Sequence, residues 1–509
     1  MRRDLKAQKS HLASLTLAVL SVLNLHLSIV CAAPGDLDTA FAGTGKVRFD
    51  SFGSDTPGAQ ATGLAIQQDG KIVVAGDSPP PPEIFGTSSQ TRFALVRFNP
   101  DGSLDAAFGT NGITTTVVGT NLVSAGPVAI QSDGKIVLAG MANGAIAAVR
   151  YNADGSLDTS FGDSGETTTT FPGTAGAAAM AIQSDGKIVL VSSSGGSAFT
   201  AIRYTTNGVL DTSFGTGGIA SITVGTGEVQ AYGIGVQSDG KIVVSGEIVI
   251  APGTIDYALA RFNSDGSPDN SFGTSGWAVA SFGNHVYGYG QPTAIQPDGR
   301  ILVAGEVLTP GLIGFIHKFG VVRFATNGVF DASFGSGGEV VTLVGEASDG
   351  AVALAIQPNG KIIAVGDALV GSNYQYATVR YNPDGSLDNS FGSNGEVLFG
   401  FGDGGDDTPS ALALDSIGRV VIAGSANGAF GVARLLGDAV PVSLRISLTA
   451  TNTAVISWPY PSAGWTLQQN SDLRTTNWTA TPQTVNNDGT NNFIIVSPHP
   501  GNLFFRLEQ

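Results

Sequence analysis

The sequence predicts an all-β protein: a seven-bladed β-propeller closed by an N-terminal strand, followed by a small β-sandwich-like domain. A phrase of the form Gln-x-Asp/Asn-Gly-Lys/Arg-Ile recurs at intervals of 52 to 64 residues. Each copy is followed by a strand that ends in Arg and by an Asp-x-x-Phe loop. Repeating units of four short strands at this spacing are typical of propeller blades. Beyond residue 440 the phrase disappears and tryptophan becomes frequent.

The blade count follows from the number of copies of each repeated feature. The phrase begins at Gln67, Gln131, Gln183, Gln237, Gln296 and Gln357, with a degraded seventh copy at Asp415. The arginine that ends a strand recurs at Arg97, Arg150, Arg203, Arg261, Arg323, Arg380 and Arg434. The aspartate of the loop recurs at Asp38, Asp105, Asp158, Asp211, Asp269, Asp331 and Asp388. Seven copies of each feature predict seven blades.

The first unit shows the four strands, expected at residues 63–67, 71–75, 93–98 and 113–117. The second strand is short, β-branched and apolar, as expected for a strand that is covered on both faces. Asp69-Gly70 joins the first two strands and predicts a two-residue hairpin in which both turn positions have positive φ.

The phase of the repeat predicts how the ring closes. The array begins with an Asp-x-x-Phe loop and a strand at 46–50, and it ends with a strand at 430–435. The first segment therefore lacks three strands and the last lacks its fourth. We expect the N-terminal strand to complete the final blade, because closure removes the exposed edges of a linear array.

The domain boundaries follow from composition. Residues 1–33 are expected to be a signal peptide, with a basic head, an apolar stretch and the small residues Cys31-Ala32-Ala33 for cleavage. Residues 34–440 form the predicted propeller and 441–509 the C-terminal module. A membrane anchor and a lipoprotein are the alternatives for the N-terminus. The predicted location is therefore secreted or cell surface.

Charge and cysteine content narrow the possible functions. The net charge is −16, and Cys31 is the only cysteine. Outside the predicted signal peptide, disulfides and thiol catalysis are therefore excluded. An acidic exported protein repels nucleic acid and suits cations or a basic partner. We expect a monomer with no membrane span after signal cleavage.

The repeat is similar to a known family. Asp133-Gly134-Lys135-Ile136-Val137, followed by Arg150-Tyr151-Asn152 and Asp154-Gly155-Ser156-Leu157-Asp158, resembles the delta-60 repeat of exported bacterial proteins. The resemblance covers roughly residues 35–438 and implies a propeller-like repeat domain with no established activity. The last copy departs from the pattern, because Leu435-Leu436-Gly437 replaces the Asn-x-Asp-Gly turn.

The C-terminal module is similar to the fibronectin-like modules of exported bacterial proteins. Strands are expected at 454–458, 466–468, 492–496 and 503–507. We expect Trp458, Trp465 and Trp478 to contribute mainly to its core and not to a ligand platform.

The loop that follows each third strand suggests a calcium site. Asn99, Asp101, Ser103 and Asp105 alternate oxygen side chains, as the start of a calcium loop does. The distal Glu is missing, however, and a glycine comes too early in the loop. A tight Asp-Gly turn before a capped turn that buries Phe108 is the favoured interpretation. No cofactor is expected, with calcium as the alternative.

The repeated Arg and Asp are expected to have a structural role. A charged side chain in every blade interior needs a partner. We expect Arg97 to pair with Asp105, and the same in the pairs Arg150–Asp158, Arg203–Asp211 and Arg434–Asp38.

Candidate binding residues lie in the connections that vary between units, on one face of the propeller. They are His285, Tyr287, Tyr289, His317, Asp403, Asp406 and Asp407. No zinc motif or nucleophile elbow is present, so catalytic residues are not identified. The sequence favours a non-enzymatic binding or surface-interaction scaffold for an extracellular protein or glycan. The alternative is an extracellular enzyme that acts on a polysaccharide or other polymer, with carboxylates converging on that face.

Overall fold

The computed structural model describes residues 33–50, 60–78, 91–119, 123–170, 176–193, 196–251, 254–281, 292–311, 314–346, 349–402, 404–438, 444–448, 453–459, 466–472, 474–487, 491–497 and 503–508. Over these ranges the regular structure is entirely β, without helices. A helix with the length and apolar character needed to cross a membrane is likewise not found in the described ranges.

The repeat array folds into successive four-stranded antiparallel sheets, six of which are formed by consecutive strands of one repeat. The first sheet contains β2 (Gln60–Ile66), β3 (Ile72–Ser78), β4 (Arg92–Phe98) and β5 (Ile113–Thr116). The second contains β6 (Val123–Ile130), β7 (Ile136–Ala142), β8 (Ala145–Tyr151) and β9 (Glu166–Thr169). The third contains β10 (Ala179–Ile182), β11 (Ile188–Ser193), β12 (Ala198–Tyr204) and β13 (Ile219–Thr223).

The next three sheets repeat this order. The fourth contains β14 (Val229–Val236), β15 (Ile242–Ala251), β16 (Thr254–Phe262) and β17 (Trp277–Ala280). The fifth contains β18 (Thr293–Ile295), β19 (Ile301–Pro310), β20 (Phe315–Phe324) and β21 (Glu339–Thr342). The sixth contains β22 (Asp349–Ile356), β23 (Ile362–Val370), β24 (Asn373–Tyr381) and β25 (Glu396–Phe399).

The seventh sheet is built from both ends of the array. Its first three strands are β26 (Asp407–Leu414), β27 (Val420–Ala426) and β28 (Ala429–Leu435). Its fourth strand is β1 (Lys46–Phe49), which pairs antiparallel with β28 so that Lys46 lies opposite Ala433. The N-terminal strand thus completes the last sheet, as the phase of the repeat predicts.

Hydrophobic cores fill the spaces between neighbouring sheets. The second strands are runs such as Ile136-Val137-Leu138-Ala139, and each of these four residues is fully buried. β-branched and aliphatic residues suit a strand that is packed on both faces. One core joins the first sheet to the seventh, through Val74 and Phe98 on one side and Val421 and Phe430 on the other.

The first strand of each sheet is the innermost, because it contacts the first strand of the next sheet, and β2 contacts β26. The hairpin between the first two strands differs from its predicted form. Gly70 alone takes a positive φ, 82°, and Asp69 does not. Ile66 pairs with Ile72, so the link is longer than two residues. The Gly70 N–H donates to the Gln67 carbonyl, which favours this turn over the predicted one.

The C-terminal region forms two further sheets. One has the order β29 (Arg445–Leu448), β30 (Ala454–Pro459), β34 (Asn491–Val496), β33 (Asn486–Asn487). The other has the order β32 (Thr479–Ala480), β31 (Thr466–Asn470), β35 (Phe504–Glu508). The two sheets share a core that contains Ile456, Trp458 and Leu467. Trp478 stacks on Arg506 outside that core, and Trp465 lies outside the described residues.

Candidate functional site

The strand order gives the propeller two different faces. The turn face carries the links between first and second strands and between third and fourth strands. The loop face carries the links between second and third strands and those from one sheet to the next. Because each sheet is antiparallel, the two sets of links lie at opposite ends of the strands. The repeated phrase forms the turn face, and the variable segments form the loop face.

The turn face is built around the repeated arginine. Arg97 donates from Nε and Nη2 to one oxygen of Asp105, at 2.8 and 2.7 Å, and stacks on Phe108. Lys71 approaches the same carboxylate at 3.0 Å. The structure places the equivalent residues at 2.7–2.8 Å in the pairs Arg150–Asp158, Arg203–Asp211, Arg261–Asp269, Arg323–Asp331, Arg380–Asp388 and Arg434–Asp38.

Each arginine also connects its own sheet to the next one. Arg203 Nη1 donates to the Ser264 carbonyl, which belongs to the turn of the fourth sheet, at 2.5 Å. Equivalent bonds run from Arg97 to Ala153, Arg150 to Thr206, Arg261 to Thr326, Arg323 to Pro383 and Arg434 to Pro100. The buried guanidinium therefore has partners on both sides, as a buried charge requires.

Arg380 makes this connection differently. Its side chain is fully buried, and its Nη2 lies 2.8 Å from Asp438 Oδ1. Lys361 approaches the other oxygen of Asp438 at 3.0 Å. In the seventh repeat Leu435-Leu436-Gly437 stands where other repeats have a turn, and Asp438 takes the place of the turn carbonyl. The degraded end of the last repeat thus has a defined role in the sixth sheet.

Four aspartates of the turn face are held in their ionised form. Burial by itself would raise the pKa of Asp158. Hydrogen bonds from Ser160 and Lys135, together with the charge of Arg150, outweigh burial and hold this pKa well below its usual range. The pKa values of Asp211, Asp269 and Asp388 are lowered by the same set of partners.

The loop that suggests calcium uses its oxygens internally. Asp101 Oδ1 accepts hydrogen bonds from the Ser103 N–H at 2.9 Å and from the Ser103 hydroxyl at 2.6 Å. Asn99 Nδ2 donates to the Ser103 hydroxyl at 3.0 Å. These contacts are those of a tight Asx turn. Within the described ranges, no group of three or more His, Cys, Asp or Glu has metal-site geometry.

A cavity of about 770 Å³ also opens on the turn face, between the first and second sheets. Asp154, Gly155 and Thr114 are among its lining residues. The Asp154 carbonyl accepts from the Gly109 N–H, and Thr114 donates to the Gly155 carbonyl at 2.9 Å. These polar groups therefore already bond one sheet to the next.

The candidate binding residues are only partly within the described ranges. His285, Tyr287, Tyr289 and Asp403 lie outside the described residues. His317 lies on β20, and its Nδ1 contacts Glu306 Oε1.

Asp406 and Asp407 hold their own loop in place. Asp406 Oδ1 accepts from the Tyr374 N–H at 3.0 Å, and Asp407 Oδ2 accepts from the Phe401 N–H at 2.7 Å. Asp407 is 2% exposed, whereas Asp406 remains exposed.

Sequence reasoning did not single out a set of carboxylates on the loop face. Four second strands carry an acidic residue immediately after the repeated glycine: Asp77, Glu247, Glu306 and Asp367. The equivalent residues of the other sheets are Met141, Ser193 and Ser425. The position is visible in the sequence as the residue that follows Ala-Gly, Ser-Gly or Val-Gly. It was overlooked because it differs between repeats.

Glu247 is a buried glutamate on β15 and lies opposite Gln230 of β14. The residue is 8% exposed, and the Tyr232 hydroxyl donates to its Oε1 at 3.3 Å. Burial raises the pKa of Glu247 to about 7, and the Tyr232 hydrogen bond opposes that rise. Burial therefore favours the protonated form of the Glu247 carboxyl group.

Asp77 and Glu306 have similar settings in other sheets. Asp77 Oδ1 accepts from the Ala125 N–H of the second sheet at 2.6 Å. Burial raises the pKa of Asp77 to about 6, against the effect of the Ala125 hydrogen bond. Glu306 is 9% exposed and lies beside His317, and its backbone carbonyl accepts from the Tyr257 hydroxyl at 2.9 Å.

Comparison with known proteins supports a β-propeller repeat family for this chain. A family model described as a domain of unknown function (DUF5122) of the β-propeller type matches residues 83–108, 131–161, 183–214, 237–272 and 357–391. Four of the matched segments contain both the repeated phrase and the Arg-to-Phe segment, and residues 83–108 contain the Arg-to-Phe segment alone. No curated protein matches the sequence.

Several solved structures are similar to the chain at low identity. Virginiamycin B lyase from Staphylococcus aureus is 13% identical, with 77% of this chain and 98% of that chain covered and a TM-score of 0.45. A protein of unknown function from Dyadobacter fermentans is 12% identical, with 77% and 97% covered and a TM-score of 0.41. The α-L-arabinofuranosidase Arb93A from Fusarium graminearum is 11% identical, with 77% and 97% covered and a TM-score of 0.38.

Proposed function

We propose that this chain is an exported, non-enzymatic binding protein that holds its ligand on the loop face of a seven-bladed β-propeller. The observation that carries the proposal is the set of carboxylates at one repeated loop-face position, Asp77, Glu247, Glu306 and Asp367. The turn-face carboxylates, such as Asp105 and Asp158, are each paired with an arginine and a lysine of their own repeat.

The seven blades are supported by the packing between sheets. Each successive pair of sheets shares one hydrophobic core, and a further core joins the seventh sheet to the first. A ring of this kind is a rigid support for variable loops, which is where binding residues are usually found. The delta-60 resemblance is consistent with such a ring.

The chemistry of the loop face favours a ligand that carries amine or guanidinium groups. Buried carboxylates lose solvation energy, which an incoming cation restores by direct pairing. The chain carries a net charge of −16, which attracts a basic partner and repels an acidic one. We propose a basic segment of an extracellular protein as the ligand class.

The C-terminal region completes the proposal. Its two sheets share one core, which is consistent with a small fibronectin-like β-sandwich that extends the propeller. The basic and apolar N-terminal residues are consistent with export to the cell surface or medium. The protein is expected to act as a monomer.

An array of basic, neutral and acidic peptides together with glycans tests the proposal on the purified protein. We expect selective binding to Lys- and Arg-rich peptides that weakens as salt increases. Binding to glycans alone would contradict the ligand class. Release of new polymer ends from any polysaccharide on the array would contradict the non-enzymatic assignment and support the enzyme alternative.

The Glu247→Gln variant links the array result to the loop face. The variant keeps the size of the side chain and removes its charge, so we expect binding to basic peptides to weaken about 10-fold. Asp154→Asn on the turn face is the matched control and should bind as the wild type does. Equal binding by wild type and Glu247→Gln would remove Glu247 from the proposed site.

A further inference from the structure

The N-terminal segment and the end of the last repeat interlock on the turn face. The Gly35 N–H donates to the Leu436 carbonyl at 2.8 Å, and the Leu436 N–H donates to the Asp36 carbonyl at 2.9 Å. The Gly392 N–H of the sixth sheet donates to the Pro34 carbonyl at 2.8 Å. We call residues 33–38 and 434–438 the seam. In the fifth sheet the Gly335 N–H makes the equivalent bond to the Asp384 carbonyl, so Pro34 substitutes for a repeat turn.

Ala33 occupies the outer end of the seam. Its N–H donates to Asp36 Oδ2 at 2.7 Å, and its carbonyl accepts from the Asp36 N–H at 3.0 Å. Both residues lie where the chain enters the seam, and the Ala33–Asp36 side-chain bond is exposed to solvent. A carboxylate that accepts from this nitrogen would bind a positively charged nitrogen at the same position more strongly than a neutral amide.

The sequence before Ala33 fits removal by a peptidase. Four Lys or Arg lie within the first nine residues, followed by an apolar stretch that ends at Val30-Cys31-Ala32. A cleavage site needs small residues at its end, and Ala32 meets that need. Cleavage one residue later, after Ala33, would remove the carbonyl that accepts from the Asp36 N–H and would leave Pro34 as the first residue. The seam therefore favours Ala33 over Pro34 as the new N-terminus, one residue before the boundary expected from a signal peptide of residues 1–33.

We propose that the chain is processed between Ala32 and Ala33, and that the new α-ammonium group of Ala33 is held by the Asp36 carboxylate in the seam. This inference rests on the exported character in the proposed function. A peptidase adds water across the amide bond: the Ala32 carbonyl carbon gains the hydroxyl group, and the Ala33 nitrogen gains a proton. The resulting amine takes up a second proton from water, and its positive charge then faces Asp36.

The seam also joins the two ends of the repeat array. Arg434 donates to Asp38 across a sequence separation of 396 residues. The seventh sheet therefore contains residues from both ends of the repeat array.

The N-terminus of the exported full chain gives the first test. Expression with residues 1–509 in a secreting bacterial host, followed by mass spectrometry of the exported protein, should give Ala33 as the first residue. Pro34, any later residue or an uncut chain would overturn the inference. A protein cut elsewhere but still exported would leave the proposed binding function standing, whereas a chain that is never exported would remove the exported character as well.

The pairing itself is tested by titrating the new amino group. The rate of α-amine acetylation at increasing pH reports the pKa of that group in the processed protein. Asp36→Asn should lower this pKa relative to the wild type, because the neutral amide no longer favours the charged amine. Asp50→Asn, which removes an exposed carboxylate paired with Arg48, is the matched control and should leave it unchanged. An α-amine pKa that is identical in wild type and Asp36→Asn would overturn the pairing.

Discussion

The two faces of the propeller place carboxylates in opposite electrostatic settings. On the turn face, Asp158 is surrounded by Arg150, Lys135 and Ser160, and its pKa is lowered. On the loop face, Glu247 has one Tyr232 hydroxyl against the cost of burial, and its pKa is raised to about 7. The turn-face aspartates stabilise the ring, whereas the ionised form of the buried Glu247 costs stability. Carboxyl groups whose pKa is raised by burial are frequent at functional sites.

The first prediction concerns the combined contribution of the turn-face aspartates to stability. We expect acid to give the largest change in the free energy of unfolding. The pKa values of Asp158, Asp211, Asp269 and Asp388 are lowered in the folded state. Their contribution is therefore present above the unfolded pKa of about 3.9 and is lost as pH falls below it. We expect the free energy of unfolding in urea to fall by more than about 4 kcal/mol between pH 5 and pH 2. A flat profile would contradict the account.

The second prediction removes one arginine from the turn face. Arg380→Ala leaves Asp388 and Asp438 without their buried cation, so the free energy of unfolding should fall by about 3–5 kcal/mol. Denaturant unfolding at pH 7 measures this change. Arg474→Ala, which removes a 90% exposed side chain paired with Asp472, is the control and should change stability by less than about 1 kcal/mol. Similar losses of unfolding free energy in Arg380→Ala and Arg474→Ala would show that the buried Arg380 stabilises the fold no more than an exposed arginine does.

The third prediction concerns the loop face, where we expect that removing a carboxylate charge increases the free energy of unfolding. Glu247 has a folded pKa raised above its unfolded value, so ionisation as pH rises from about 4.5 to 7 costs stability. Glu247→Gln should therefore be more stable than the wild type by about 1–2 kcal/mol at pH 8, and equal to it at pH 4. Glu346→Gln, at an exposed loop-face glutamate, should show no such difference. A destabilised Glu247→Gln at pH 8 would mean that the Glu247 charge is structurally paired.

The contacts of the turn face could be predicted from the sequence because the residues that form them recur in every repeat. The pairing of Arg97 with Asp105 and of Arg434 with Asp38 follows from identical spacing in every unit, and β1 completes the seventh sheet as the phase indicates. The same arginine and aspartate recur seven times at nearly the same spacing, and this repetition predicts that they are in contact in each repeat. The hairpin turn was described wrongly because a dipeptide alone does not determine the length of the link.

The loop face could not be predicted in the same way. Glu247 and Glu306 share a position, but other sheets have Met141 or Ser425 there, so no repeated motif marks it. Burial of that position depends on the next sheet, which sequence spacing does not give. Asp438 was missed because the last repeat is degraded at that point. Where the pattern fails, the contact depends on tertiary packing alone.

The most direct test of the central claim compares two double variants of equal charge change. Glu247→Gln with Asp367→Asn neutralises two loop-face carboxylates, and Asp154→Asn with Asp384→Asn neutralises two turn-face carboxylates. Affinity for the strongest basic peptide of the array, measured by calorimetry at pH 7.5, should fall more than about 30-fold in the loop-face variant. The turn-face variant should retain wild-type affinity within about twofold. Equal losses in both variants, or a larger loss in the turn-face variant, would contradict a ligand site on the loop face.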